Sequence, residues 1–524
     1  MSTAGIFVTI VVILLLIALI KEVMRPGLIL LSGAILFMVS GIITPREMLE
    51  GFSNKGMITV ALLFLVSEGV RRSGLLEQLL YKLLPQKKTS TFKTQLRMMP
   101  MVSFISAFLN NTPVVVIFAP MIKRWAEKMK IPATKLLIPL SYATIVGGLC
   151  TLIGTSTNLV VHGMALEEAA LHPESGIRGL SMFELGKVGI FIAIASIIYI
   201  LIFSKYLLPE RREQSAEMVS EETNTGNFRV EVVLGARFPA IGRHVRNFDF
   251  KMKYGATLLE IKRNGTTMLM HDMRKEKFRE GDTLVLLADD AFLQNWGDSS
   301  FFLMVSNSRQ KEPQMGMRKR WCTILLLALM ILGATIGELP SMQGIVPGMK
   351  FDMFFFVCIT VAIMAWSNMF PARKYTKFIS WDTLITIATA FAISKAMQNS
   401  GMADAIGSWA VEISQGKSPY FLLAIVFLIA TIFTELMTNN AAAALVFPMA
   451  VSTANHLGVS PMPFVVIICI AASASFCTPI GYQTNLIVQG VGGYKFSDFF
   501  KIGLPLNVIT AILSIWLVPL FWPF

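Results

Sequence analysis

One polar motif occurs twice in this chain, each time inside apolar sequence. Phe108-Leu109-Asn110-Asn111-Thr112-Pro113, running on to Pro120-Met121, is matched by Leu436-Met437-Thr438-Asn439-Asn440-Ala441, running on to Pro448-Met449. Gly154-Thr155-Ser156-Thr157-Asn158-Leu159 is matched by Gly481-Tyr482-Gln483-Thr484-Asn485-Leu486. The offsets agree, 439 − 111 = 328 and 485 − 158 = 327, and Ser73-Gly74 against Ser400-Gly401 gives 327 again. Amides and hydroxyls that break apolar runs at corresponding places in two halves indicate two structural repeats with a binding site where they meet.

Composition sets the medium. Hydrophobic residues make up 54% of the chain and charged residues only 15%, against roughly 25% charged in soluble domains, and the mean hydropathy is +0.62. This is the composition of a polytopic α-helical membrane protein. The net charge of +13 fits basic loops beside anionic lipid, and no nucleic-acid partner is indicated. Cys150, Cys322, Cys358, Cys469 and Cys477 lie in apolar segments without CxxC spacing, so they read as core residues and not as a disulfide or metal framework.

The apolar runs stop between about 207 and 320. A polar linker, 209–226, leads into short alternating segments, Arg229-Val230-Glu231-Val232-Val233-Leu234, Ala256-Thr257-Leu258-Leu259-Glu260-Ile261 and Gly281-Asp282-Thr283-Leu284-Val285-Leu286-Leu287, with the turn Arg263-Asn264-Gly265 and an amphipathic stretch near Phe238 to Phe250. Period-two alternation of this kind predicts strands. The expected organisation is a first membrane half over 1–208, a small α/β domain over 227–297, a linker over 298–318 and a second membrane half over 319–524.

Apolar runs long enough to span a bilayer, about 20 residues as helix, occur near 4–20, 27–43, 183–204, 321–337, 353–370 and 500–521, and about 11 spans are expected in all. The first lacks a basic leader and a small-residue cleavage site, which predicts a retained helix rather than a signal peptide. Lysine and arginine cluster at 21–25, 82–97, 123–135, 211–212, 318–320 and 373–377, whereas 162–182 and 397–417 are poor in them. By the positive-inside rule the basic loops and the inserted domain belong in the cytoplasm, at the inner membrane, with both termini outside. Segment 57–71 then runs inward and its counterpart 383–397 outward, so the repeats are inverted.

Each repeat carries two polar breaks. The apolar arms around Asn110-Asn111-Thr112 are too short to cross separately, which predicts a re-entrant hairpin from the cytoplasmic side. The second hairpin, around Thr438-Asn439-Asn440, enters from outside. Segments 147–158 and 478–485, rich in glycine, threonine and proline, are predicted to be unwound. Non-helical backbone at mid-membrane persists only where protein or a water-filled cavity satisfies it. Freed carbonyls with amide and hydroxyl oxygens suit a hard cation such as sodium, while half-helix N-termini favour an anion. No lysine or arginine occurs in any of the four breaks.

Among ionisable residues in apolar sequence, Glu435 stands three before Thr438, placed to tune a cation site, accept a proton or pair with backbone. Glu68 and Lys395, at offset 327, could neutralise each other across the repeat axis. His162, His172, His244, His271 and His456 have no ligand-spaced companion and read as loop or surface residues. Gly490-Val491-Gly492-Gly493-Tyr494 reads as a turn. No metal-ligand spacing, nucleophile elbow or phosphate loop suggests an enzyme.

On its hairpin tips and unwound segments the chain resembles the divalent anion:sodium symporter family of the ion transporter superfamily, over nearly all of its length outside the insert. The resemblance implies an alternating-access carrier with a dimer interface on its outer helices. It assigns Ser106, Asn110, Asn111 and Gly154 to one sodium site, and Thr434, Met437, Asn439 and Gly481 to a second. Asn111, Thr112, Thr155, Asn439, Asn440, Tyr482 and Gln483 fall in the substrate site. Sodium is co-transported and no organic cofactor is implied. The tips read Asn-Asn-Thr and Thr-Asn-Asn where the family carries Ser-Asn-Thr. Ser156-Thr157 and Gln483-Thr484 stand where its dicarboxylate carriers are similar to Pro-Pro. The insert, on Gly281-Asp282-Thr283-Leu284-Val285-Leu286, resembles the TrkA-C or RCK-C regulatory module, which implies either regulation by a small-molecule ligand or a plain dimer contact there, and symporters with such inserts resemble inorganic anion carriers, of sulfate in particular. A dicarboxylate such as succinate is the alternative cargo, and a gated ion channel the alternative class.

Overall fold

The computed structural model describes residues 2–210, 228–306 and 315–524, apart from residues 22, 86, 88, 236, 264–265, 269, 274, 297–298, 300, 338, 340–350 and 414–417. Most of the predicted linker 209–226, the turn at Asn264-Gly265 and part of 298–318 lie outside the described residues.

Two hairpins and two broken helices form the inside of the membrane domain. Thr91–Ser106 and Asn111–Lys128 make the first hairpin, Pro419–Leu436 and Asn439–Leu457 the second. Leu137–Gly148 resumes as Ser156–Leu171 after one break, and Met462–Ser473 resumes as Gln483–Gly492 after the other. Every residue of Leu137–Gly148 and of Met462–Ser473 is buried. The long helices outside them, Thr3–Ile20, Gly186–Leu207, Met317–Gly337 and Phe496–Phe521, expose Ile10, Leu14, Ile194, Ile198, Leu329, Ile512 and Trp516 instead. Apolar side chains facing outward are tolerable only against lipid, and helices with all backbone groups bonded internally are what lipid permits. Among the described residues six helices are long and apolar enough to cross a membrane.

The repeat reaches further than its motifs. Pro26–Val39 and Met353–Trp366 are offset by 327 at both ends, and so are Pro45–Glu50 and Ala372–Lys377. The first pair also corrects the predicted spans 27–43 and 353–370, which end four residues early. Gly41 at φ +76° and Asn368 at φ +49°, again 327 apart, turn the chain out of the helix in the left-handed region that glycine and asparagine tolerate. Glu68 and Lys395 do not pair. Glu68 instead accepts from Arg71 and Arg72 on its own helix at 2.8 and 2.6 Å, while Lys395 lines a pocket with Glu167, Glu168 and Gln398. His162 is not a loop residue: it lies half-buried in Ser156–Leu171, and its Nδ1 accepts from the Leu180 amide at 2.9 Å.

The insert is a five-stranded antiparallel sheet of β1 (Phe228–Leu234), β2 (Thr257–Arg263), β3 (Thr266–Met268), β4 (Thr283–Ala288) and β5 (Phe302–Ser306), in the order β3-β2-β4-β1-β5. Strand β5 falls in the stretch expected to be linker. Its Phe302-Leu303-Met304-Val305 is too short to show a period, and it forms by pairing with β1. Phe238 centres the core, within 6.0 Å of the rings of Phe248, Phe250, Tyr254, Phe278 and Phe302. Arg263 grips Asp282 with two 2.7 Å bonds.

Two equivalent glycines allow the long helices to touch the unwound backbone. A methyl on Gly189 would lie 2.5 Å from the Leu149 carbonyl oxygen, and one on Gly503 2.1 Å from that of Phe476. Neither backbone atom can swing away as a side chain could. Gly503→Ala is therefore expected to cost about 1–3 kcal/mol by overpacking, seen as a lower thermal midpoint in detergent. Gly316→Ala, with nothing within 4 Å of the added carbon, should leave the midpoint unchanged.

Candidate functional site

Each helix break leaves peptide groups without intrahelical partners, and the two repeats satisfy them with the same side chains. Thr151 Oγ1 donates to the Ala107 carbonyl and accepts from the Gly154 amide at 3.1 Å. Thr478 Oγ1 donates to the Glu435 carbonyl at 3.1 Å and accepts from the Gly481 amide at 3.2 Å. Asn158 Nδ2 donates to the carbonyls of Gly148 and Thr151, and Asn485 Nδ2 to those of Ser475 and Thr478, all within 3.2 Å. These threonines and asparagines hold each hairpin against its broken helix and each broken helix in its loop. Asn158 and Asn485 thus brace backbone within their own repeat.

Oxygen atoms collect at both hairpin tips. Asn111, fully buried, sets one end of its amide 2.6 Å from Ser106 Oγ, 3.0 Å from the Thr144 carbonyl and 3.3 Å from the Gly154 carbonyl, and the other end 2.6 Å from Tyr482 Oη. Hydrogen bonding assigns Nδ2 to the first end, where it donates to all three oxygens, and Oδ1 to the second, where it accepts from Tyr482. Three oxygens thus gather around one end of the amide, a donor set of the kind a hard cation takes. Thr434 Oγ1 likewise lies 2.8 Å from Asn439 Oδ1 and donates to the Ala472 carbonyl, and Gly481 packs against the Thr434 carbonyl and Ser475 Oγ.

Between the tips, side chains meet across the repeat axis. Thr155 Oγ1 and Tyr482 Oη, 327 positions apart, are 3.1 Å from each other. Equivalent residues can touch only on the axis, which fixes where the axis runs. Ser156 and Thr157 each donate to Asn440 Oδ1 at 3.2 Å, mirrored by Thr112 donating to Gln483 Oε1 at 3.4 Å. Six of the seven residues expected in the substrate site make cross-axis contacts, Asn111 through Tyr482, and the seventh, Asn439, adjoins Asn440 in the chain.

Not every expected ligand faces an oxygen cluster. Asn110 lines a cavity with Phe64, Ser67, Phe108, Ile153 and Ser156. Met437 buries its side chain in an apolar cluster with Ala441, Ala442 and Leu445, so only its carbonyl could serve. Thr144, Thr151, Ser475 and Thr478 were missed. Extending the repeat alignment through the breaks would have paired Thr151 with Thr478.

The second break is longer than predicted. Helix ends at Ser473 and resumes at Gln483, so residues 474–477, which carry no glycine or proline, are unwound as well. The Glu435 carboxylate explains this, since it accepts from the Phe476, Cys477 and Thr478 amides at 2.8–2.9 Å, from Ser475 Oγ at 3.3 Å and from Asn507 Nδ2 at 3.0 Å. Of the roles considered for Glu435, backbone pairing is the one the geometry displays. Ala107 occupies the corresponding place in the first repeat. Glu435→Ala should strand three amides and cost about 2–3 kcal/mol, measured as a fall in thermal midpoint. Glu435→Gln, which keeps one acceptor oxygen, should lose less.

Comparison with known proteins agrees with this architecture. Residues 13–465 and 356–524 match the citrate transporter family. An uncharacterised transporter of Synechocystis is 30% identical, covering 93% of this chain and 92% of its own. Sodium/sulfate cotransporter 1 of Chlamydomonas reinhardtii is 22% identical, covering 90% and 84%. The sodium-dependent dicarboxylate transporter SdcS of Staphylococcus saprophyticus is 20% identical, covering 92% and 80%. The crystal structure of the YdaH transporter of Alcanivorax borkumensis superposes with a TM-score of 0.52 at 12% identity, over 91% of this chain and 88% of that one, which bears on fold alone. The chain belongs to the citrate transporter family within the divalent anion:sodium symporters, and it is a multi-pass membrane transporter of anions coupled to sodium.

Proposed function

We propose that the protein imports a small divalent anion, sulfate by preference, driven by sodium entering with it. The observation that carries this reading is the pair of oxygen clusters around Asn111 and Asn439, joined across the axis by the Thr155–Tyr482 contact. Sodium held by Ser106, Asn111, Thr144 and Gly154 on one side, and by Thr434, Asn439 and neighbouring carbonyls on the other, gives an uncharged pocket a net positive potential. The anion then sits between the two, on Thr112, Thr155, Asn440, Tyr482 and Gln483. The half-helices beginning at Asn111, Ser156, Asn439 and Gln483 aim their N-termini at it. Binding in this order couples the ions, because the anion gains affinity only where cations already are.

The hydroxyls and amides that pair across the axis, Thr112 with Gln483, Thr155 with Tyr482 and Ser156 with Asn440, are short uncharged groups that suit a compact tetrahedral oxyanion once the pairs part around it. The family description and the dicarboxylate relative favour the second reading, a succinate-like cargo. Basic loops and the insert would face the cytoplasm, and the exposed outer helices would carry a dimer contact and the lipid boundary. Alternating access follows from inverted repeats exchanging roles about the axis through Thr155 and Tyr482.

Labelled sulfate uptake into proteoliposomes should require an inward sodium gradient and be inhibited more by thiosulfate than by succinate. Uptake of succinate without sulfate would transfer the reading to the alternative cargo. Asn111→Ala and Asn439→Ala each remove one cation ligand, and each should raise the half-activating sodium concentration about tenfold, equivalent to about 1.4 kcal/mol. An unchanged sodium response in both variants would remove the site assignment.

A further inference from the structure

Threonines inside the helices of this chain commonly return their hydroxyls to the backbone. Thr9, Thr59, Thr335, Thr360 and Thr453 each donate to the carbonyl four residues before, at 2.7–2.8 Å. Thr431 and Thr510 do not, and neither does Ser514. Their oxygens are buried with no hydrogen-bond partner among the described residues. A helical hydroxyl that gives up this bond is turned off its own helix, toward whatever packs alongside.

These groups share one seam. On Phe496–Phe521 the buried residues Asn507, Thr510 and Ser514 recur at i, i+3 and i+7, which places them on one face. Gly503 carries that face to the second break, since a carbon added there would lie 2.9 Å from the Cys477 amide. Asn507 Nδ2 donates to Glu435 Oε1 at 3.0 Å and to Cys477 Sγ at 3.1 Å, while its Oδ1 is buried and unpartnered among the described residues. Thr431 stands one turn before Glu435 on Pro419–Leu436, so it approaches the same carboxylate. Asn507 is 7% exposed, and Thr510 and Ser514 are 0% exposed. Past Ser514, Leu517 and Val518 are buried in one apolar cluster with Val426 and Phe427, which closes the far end.

Two demands coincide in this seam. Thr431 Oγ1, Asn507 Oδ1, Thr510 Oγ1 and Ser514 Oγ lack partners among the described residues, although buried polar atoms are nearly always satisfied. Glu435 accepts five hydrogen bonds, yet Pro419–Leu436, Met462–Ser473 and the buried face of Phe496–Phe521 carry no lysine, arginine or histidine to balance its charge. Water meets the first demand, whereas a cation meets both. The first repeat makes neither. Counting from the equivalent glycines, 503 − 189 = 314, Asn507 and Ser514 correspond to Ala193 and Ile200, and Ala107 stands in the place of Glu435. Thr510 alone keeps a polar counterpart, Ser196, without the carboxylate or the amide.

We propose that this seam binds a sodium ion of its own, on Asn507 Oδ1 and the hydroxyls of Thr431 and Thr510, with Ser514 one turn beyond and Glu435 as the counter-charge. It is separate from the two tip clusters and independent of which anion is carried. A single carboxylate among uncharged oxygens matches a monovalent hard cation.

The test is the thermal midpoint of the purified full chain in sodium and in choline, for the unaltered protein, Thr431→Val and Thr510→Val. Valine keeps the shape of threonine and removes the oxygen. Sodium should raise the unaltered midpoint, and each variant should need about tenfold more sodium for half of that rise. In choline both variants should melt at or above the unaltered protein, because an unmet buried hydroxyl is gone. One half-effective sodium concentration shared by all three proteins would overturn the site and leave water in the seam. Midpoints lowered equally in both salts would also overturn it, since the hydroxyls would then serve packing alone. Asn111→Ala/Asn439→Ala distinguishes the seam from the tips: part of the sodium rise should survive there and vanish when Thr510→Val is added. Loss of the whole rise from the tip substitutions alone would remove the seam site and leave the tip clusters standing. An undiminished rise in the tip variant that Thr510→Val abolishes would do the reverse.

Discussion

Broken helices in a membrane leave peptide groups that water cannot reach, and the rest of this structure follows from how those groups are satisfied. A lone polar break inside lipid would cost several kcal/mol for each unpaired group. Here Thr151 and Thr478, Asn158 and Asn485 return the freed amides and carbonyls to the protein. Such bracing is possible only if each hairpin lies against its own broken helix and the whole is walled from lipid by longer helices. Complete burial of Leu137–Gly148 and Met462–Ser473 is the result. The oxygens that converge on Asn111 and Asn439 take no part in this bracing of the breaks, and the proposed site draws on them.

The repeats are equivalent in backbone but not in chemistry. Glu435 fastens four donors of the second break, where Ala107 supplies nothing but a carbonyl to Thr151. Asn485 Oδ1 accepts from Ser141 at 2.7 Å, whereas Asn158 Oδ1 is buried without a hydrogen-bond partner among the described residues. The residue 327 positions after Ser141 is Ile468, which cannot donate. The second break is thus the more firmly anchored, and it is also the one whose continuing helix meets the insert at Gly490. The first break keeps an unmet acceptor close to its oxygen cluster.

Periodicity and spacing made much of this legible. Matching offsets placed both tips and both unwound segments, and alternation in 229–234, 256–261 and 281–287 identified three of five strands. What escaped was decided by contacts distant in sequence. Residues 474–477 look like continuing helix until the Glu435 carboxylate, some forty residues earlier, takes their amides. Strand β5 exists only because β1 offers it an edge. Asn110 and Asn111 are adjacent and identical in type, yet the helix beginning at Asn111 turns one to the cavity and the other to the oxygen cluster. The Glu68 and Lys395 pairing failed because local arginines, three and four residues on, were nearer.

In the proposed mechanism uncharged oxygens capture cations first and the cations capture the anion. Equilibrium binding of labelled sulfate to the purified protein, with sodium and with choline in its place, addresses it directly. The account requires saturable sulfate binding in sodium that vanishes in choline, with sulfate tightening sodium binding by the same factor that sodium tightens sulfate. Equal sulfate affinity in both salts would contradict it.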